Sequence, residues 1–161
     1  MNQSKEEQIE AFLLSANQLC DELFPTELST LGVCGYVYSS EEAVEELGLD
    51  DELVHHLVED YVAQILKSVY IFADLLLALK IAKKEGKVLN YLPLRELSHK
   101  NLGVARNLRI KDAEKLLFEL MKKDDLEYLE LCVQALQACA IKLKPTCAYN
   151  TLTTIKIKKK L

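Results

Sequence analysis

The chain has 161 residues with a formal net charge of −5, and half of its residues are apolar. Glycine and proline are scarce and tryptophan is absent, which favours a single all-helical domain over a sheet protein. Lys5 is the only lysine or arginine before residue 61, so the acidic N-terminal region argues against nucleic acid as the main ligand. No secretory signal and no apolar run of roughly 20 residues is evident, so we expect a cytoplasmic protein without a membrane span.

The first predicted element is an amphipathic helix over residues 4–23, whose apolar side chains recur at helical spacing. Ser4 and Glu7 fit a capping box at its start. Pro25 follows its end, and the glycine-containing stretch after it predicts a linker.

Two further helices follow the linker. Ser40 is expected to cap a short helix that Gly48 terminates. Asp50 then caps the longest element, over residues 50–85, where apolar residues alternate steps of four and three and Gly86 marks the end.

Three more helices are predicted over residues 93–108, 111–123 and 125–143, and a basic, solvated tail follows. The short connections between them imply antiparallel neighbours. We therefore expect an antiparallel four-helix bundle with an additional N-terminal helix. Its predicted parts are an N-terminal helix and linker, the bundle, and a basic C-terminal tail, at residues 1–39, 40–144 and 145–161.

The cysteines contain no CxxC pair and lie mostly within helical patterns, which predicts reduced thiols and no metal site. They are Cys20, Cys34, Cys132, Cys139 and Cys147.

A helical wheel of residues 93–108 places His99 on the side facing water, with Gly103 one turn further along. Arg95, Leu102 and Arg106 fall on the same outer face. The predicted inward stripe consists of Leu94, Leu97, Asn101, Val104, Ala105 and Leu108.

An exposed imidazole with a glycine one turn away suits phosphoryl transfer through histidine. A neutral imidazole is nucleophilic at cytoplasmic pH. In-line transfer brings the donor phosphorus into contact with a ring nitrogen, and a bulky side chain at position 103 would hold the donor off. The alternative is that His99 is simply a surface residue.

The stretch LSHKNLGVARNLRI resembles the signature of histidine phosphotransfer (HPt) domains, which runs roughly A-H-x-L-K-G-x-A-x-N-L. Ser98 takes the small position before the histidine, and Gly103, Ala105, Asn107 and Leu108 are in register. The likeness extends over about residues 40–144. It implies a phosphorelay protein in which His99 accepts a phosphoryl group from a receiver-domain aspartate and donates it to another.

Three positions depart from the family pattern. Asn101 and Leu102 stand where the family usually has leucine and lysine, and Arg106 stands at a usually small position. The resemblance implies that the missing lysine assists the phosphoryl group, so Arg95, Lys100 or Arg106 would supply the charge. We expect Asn101 to point toward the core, and Leu102 to lie exposed beside His99 as an apolar docking residue.

Other readings stay open. A degenerate HPt domain would dock receiver or kinase domains without carrying phosphate, and a bundle could dimerise through its N-terminal helix, although we expect a monomer. His55 and His56 lie close to several carboxylates and are expected to be structural or surface residues. No GxxxxGK or GxGxxG loop is present, so we expect no cofactor, and any Mg²⁺ would belong to the partner.

Overall fold

The structure is a computed structural model that describes residues 3–160. Residues 1, 2 and 161, at the ends of the predicted terminal segments, lie outside that description. The described chain is all-helical, as predicted. Its helices are α1 (Lys5–Leu23), α2 (Glu41–Leu47), α3 (Asp51–Lys84), α4 (Leu92–Leu108), α5 (Lys111–Lys122), α6 (Leu126–Leu143) and α7 (Pro145–Lys160), with a 3₁₀ turn at Ser29–Leu31.

Most of the predicted helix ends are confirmed by their capping hydrogen bonds. The Ser4 hydroxyl accepts from the Glu7 amide at 3.2 Å, which starts α1. The Asp50 carboxylate accepts from the Leu53 amide at 2.7 Å, which starts α3. Gly48 ends α2 in the left-handed conformation with φ 66°, which glycine adopts without strain.

The predicted cap at the start of α2 is wrong. The Ser40 hydroxyl accepts no bond from the helix and instead donates to the Asp51 carboxylate at 2.7 Å. The neighbouring Ser39 hydroxyl accepts from the Glu41 amide at 3.4 Å. Two consecutive serines offer the same chemistry, and tertiary contact with α3 decides which of them bonds to the helix.

The central helices pack in a closed sequence, in which α3 contacts α4, α4 contacts α5, α5 contacts α6, and α6 contacts α3. Most of the apolar residues that recur at helical spacing in α3, α5 and α6 are buried. Because apolar burial is the main favourable term in folding, these four helices form the centre of the core and position α4 at its surface.

Helix α1 packs on α6 and α7 of its own chain, burying Ala16, Cys20 and Leu23. That apolar face is the surface through which the sequence allowed an N-terminal dimer. It is occupied within the chain.

The C-terminal segment is helical, whereas the sequence predicted a frayed, solvated end. Helix α7 contacts α3, α6 and α1, and it buries Ala148 and Leu152. These two residues are four apart and share one face. The lysines that follow dominate the composition, but this short apolar face is enough to dock the segment.

The predicted linker holds the corner between α4 and α5. The Tyr36 hydroxyl donates to the Arg109 carbonyl at 3.1 Å, and the Tyr38 hydroxyl donates to the Leu108 carbonyl at 2.7 Å. Arg109 itself adopts the left-handed conformation with φ 61° and forms an ion pair with Glu46 of α2. These contacts satisfy carbonyls at the end of α4 and fix where α5 begins.

Among the described residues, α3 alone is long and apolar enough to cross a membrane, by length and composition only. A helix buried in the core of a protein can have the same length and composition. Here α3 packs against α4, α6 and α7.

Candidate functional site

The buried face of α4 is rotated relative to the predicted stripe. Val104, expected inside, is 39% exposed, and Leu97 is only partly buried. Helix α5 packs extensively on one side of α4 and draws the buried face toward itself. The buried residues of α4 are Leu94, Ser98, Asn101, Leu102, Ala105 and Leu108.

His99 is exposed, as predicted. Among residues 3–160, no side chain or backbone group forms a hydrogen bond or ion pair with its ring. A Cβ placed on Gly103 would have no atom within 4 Å. Both features leave one turn of the α4 surface open to a partner.

Leu102 is buried, with 2% of its surface exposed, and this contradicts its prediction as a docking residue beside His99. At 100° per residue it lies about 60° from His99, on the edge of α4 where the rotated interface with α5 closes. Leu102 therefore stabilises the core and presents no apolar surface to a partner.

Arg95 is also unsuited to the predicted docking role, because its guanidinium is committed within the chain. It donates to the carbonyls of Leu120 and Lys123 at 2.7 and 2.8 Å, and it pairs with the Asp124 carboxylate at 2.7 Å. Its guanidinium also lies over the Tyr91 ring, 4.7 Å from the centroid. These bonds cap the carboxyl end of α5, so Arg95 holds α4 to α5.

Two of the predicted cationic residues have side chains that are available to a partner. Lys100 and Arg106 are exposed, and within the described chain neither forms a hydrogen bond or ion pair through its side chain. Burial raises the pKa of the Glu114 carboxyl on α5, and the positive charge of Arg106 opposes that shift. Arg106 lies within about 20° of His99 around α4, and its charge acts on Glu114 of α5.

The predicted inward position of Asn101 is confirmed, and its amide is satisfied there. Its amide nitrogen donates to the Ser68 hydroxyl of α3 and to the Leu97 carbonyl, each at 3.0 Å. The neighbouring Ser98 hydroxyl donates to the Leu94 carbonyl at 2.7 Å. Buried polar groups are costly unless they are bonded, and the bond from Asn101 to Ser68 also links α4 to α3.

The histidines of α3 have partners. His55 Nε2 lies 3.3 Å from the Asp51 carboxylate, and its Nδ1 lies 3.1 Å from the Lys144 ammonium. Since an ammonium only donates, Nδ1 accepts and Nε2 carries the proton that faces Asp51. His56 lies 4.0 Å from Glu52. The expected structural and surface roles agree with these contacts.

A second cluster of titratable groups surrounds a cavity of about 270 Å³ between the linker, α3, α5 and α6, and the sequence did not predict it. Burial raises the pKa of the Asp112 carboxyl, which accepts from the Ala113 amide at 2.7 Å. A hydrogen bond that the Cys139 thiol donates to Cys20, together with burial, raises the pKa of Cys139 well above its usual value, and the same bond lowers the pKa of Cys20. A thiol kept protonated is a poor nucleophile, so Cys139 is not an activated nucleophile.

The cysteines are free, as predicted. Within residues 3–160, no group of three or more metal-ligating side chains could hold a metal ion.

Comparisons of the chain with protein-family models, curated proteins and solved structures gave no match.

Proposed function

We propose that α3 to α6 form an antiparallel four-helix bundle of the HPt kind, and that His99 carries a phosphoryl group between receiver-domain aspartates. The observation that carries this proposal is the open turn of α4, where an imidazole without a partner lies one turn from a glycine that nothing covers. The sequence motif around His99 gives independent support.

The proposed chemistry is a displacement at phosphorus. The unprotonated nitrogen of the neutral His99 ring attacks the aspartyl phosphate of a receiver domain. A nitrogen–phosphorus bond forms as the bond from phosphorus to the carboxylate oxygen breaks, and the carboxylate leaves with the bonding electron pair. The other ring nitrogen keeps its proton. Because the ring accepts no bond from a neighbour, it is free to align with the incoming group.

The phosphoryl oxygens carry negative charge that a cation would stabilise. With Arg95 committed to α5, Lys100 and Arg106 are the remaining predicted candidates. Lys100 is adjacent in sequence and lies about 100° around the helix, whereas Arg106 returns to within about 20° of His99 two turns further on. Arg106 is therefore the better placed of the two.

The second candidate function is a degenerate HPt-like adaptor that binds receiver or kinase domains without being phosphorylated. The buried side chain at position 102 favours it, because the position that carries the family's assisting lysine presents no charge at the surface. Both proposals place the protein in the cytoplasm with receiver domains or a sensor kinase as partners, and neither gives it an ATP site of its own.

The test is transfer of label from receiver domains that have been phosphorylated with ³²P-acetyl phosphate. We expect acid-labile, base-stable label on the wild-type chain and none on His99→Gln. The matched control is His56→Gln, which removes the other exposed histidine and should label like the wild type. Binding of the same receivers is measured in parallel.

The outcomes separate the two functions. Label that persists in His99→Gln would contradict the assignment of the acceptor. Receiver binding without label in the wild type would support the adaptor. Neither binding nor label with any receiver tested would contradict both.

A further inference from the structure

The outer face of α3 carries a second seam that the chain itself leaves uncovered. Its residues repeat at steps of four and three, the spacing that packs one helix along another. All are exposed or partly exposed. They are Leu53, Leu57, Asp60, Gln64, Lys67 and Ile71.

This seam is complementary to itself when reversed. Leu57 and Ile71 are each seven residues from Gln64, and Asp60 and Lys67 are four and three residues from it. An antiparallel copy therefore places Leu57 opposite Ile71 and Asp60 opposite Lys67, and the two-fold axis makes each pair occur twice. Neither Asp60 nor Lys67 forms an ion pair with another described residue.

An apolar groove of about 510 Å³ lies beside the acidic half of the seam, between α2, α3 and α4. Leu47 and Val104 on its walls are 40% and 39% exposed. Ile71, on the basic half, is 49% exposed. Exposed apolar surface next to a groove marks an interaction site, and the reversed copy brings its Ile71 to this groove.

We propose, in place of the monomer expected from the sequence, that the chain forms a symmetric homodimer through the outer face of α3, in which Ile71 of each copy enters the α2–α3–α4 groove of the other. Residues 51–66 of α3 and all of α2 contain no lysine or arginine, whereas Lys67 and Lys158 lie where α7 runs beside α3. The reversed alignment therefore sets an acidic half against a basic half, so the charges select a second copy as the occupant.

This proposal does not depend on the proposed phosphotransfer. The groove contacts the edge of α4 that carries Val104, whereas His99 lies on the edge toward α5. A dimer would present two His99 rings outward.

The first experiment is sedimentation equilibrium of the full chain over a range of concentrations, with Ile71→Asp as the test variant. Leu77→Asp is the matched control, because Leu77 is 56% exposed on the same helix but about 120° away around it. We expect a wild-type dimer, an Ile71→Asp monomer, and a Leu77→Asp dimer. Circular dichroism checks that each variant keeps its helices.

The second experiment is a charge exchange. Asp60→Lys and Lys67→Asp each put like charges in contact at both pairs and should weaken dimerisation about tenfold, as should added salt for the wild type. The double variant restores both pairs and should recover most of the wild-type affinity.

Three results would overturn the proposal. The wild type could be a monomer at every concentration, or Ile71→Asp and Leu77→Asp could weaken the dimer equally. The double charge variant could also dimerise no more tightly than the single variants. A dimer that survives all of these changes would lie on another surface.

Discussion

The polar side chains on the two faces of α4 differ in whether they form hydrogen bonds within the chain. On the buried face, Ser98 and Asn101 donate hydrogen bonds to carbonyl or hydroxyl groups. On the exposed face, His99, Lys100 and Arg106 form no such bonds with the rest of the described chain. The polar side chains on the buried face contribute to the stability of the fold, whereas those on the exposed face have no evident role in folding.

Exposed polar residues are common, and their presence alone indicates no function. The contrast gains weight from Gly103, because a glycine within a helix costs about 1 kcal/mol relative to alanine. No neighbouring atom lies close enough to position 103 to exclude a larger side chain there. The exposed face therefore carries a destabilising residue that packing does not explain.

The largest effect that tests this contrast is on stability. Leu102→Ala should lower the free energy of unfolding by about 2–5 kcal/mol, because it removes a fully buried side chain. Val104→Ala, two residues away on the exposed side, should cost less than about 1 kcal/mol. Urea denaturation measures both, and equal costs would contradict the rotated face of α4.

The next effect is on phosphoryl uptake. Gly103→Leu should leave the helices folded, since leucine is the better helix former, but should reduce labelling of His99 on the order of 100-fold by holding the donor away. Gly103→Ala is the matched control and should label normally, because its Cβ meets no other atom within 4 Å. Full transfer in Gly103→Leu would show that close approach is not the reason for the glycine.

A smaller effect on stability is expected from removing the hydrogen bond between α3 and α4. Asn101→Ala removes the donor to the buried Ser68 hydroxyl and should cost about 1–3 kcal/mol of stability. Combining Asn101→Leu with Ser68→Ala replaces both groups by apolar ones and should recover much of the loss. If the combined cost is the sum of two separate losses, the hydrogen bond does not couple these residues.

The element boundaries followed from the sequence because caps and periodicity act locally. Asp50 caps α3 and Gly48 ends α2, and both effects arise within a few residues of the chain. The rotation of α4 was not accessible in this way, because it depends on the position of α5. Leu102 lies at the edge of the apolar stripe, so its burial is decided by a neighbour that the wheel does not contain.

The same limit applies to the candidate site. The exposure of His99 and the inward position of Asn101 both followed from the wheel. The role of Arg95 did not, because its acceptors lie 25 to 29 residues away at the end of α5. An arginine on a helix surface looks the same in sequence whether it binds a phosphate or caps another helix.

The smallest predicted effect is that of Arg106. It tests whether the exposed face of α4 carries a phosphoryl group or only binds a partner. Arg106 lies about 10 Å along the axis from His99 and within about 20° of the same face. An extended arginine covers much of that distance and presents two N–H donors to a phosphate. Its side chain has no hydrogen bond within the described chain to break first.

We expect Arg106→Ala to slow labelling of His99 about tenfold, which corresponds to roughly 1.4 kcal/mol in the barrier, with receiver binding unchanged. Arg106→Lys keeps the charge but loses the paired donors, so it should fall between. Lys115→Ala, which removes an exposed cation of α5, is the control. A loss of binding without a change in the bound transfer rate would make Arg106 a docking residue. If no variant changes either quantity, Arg106 is only a solvated residue, and Lys100 becomes the remaining predicted source of positive charge.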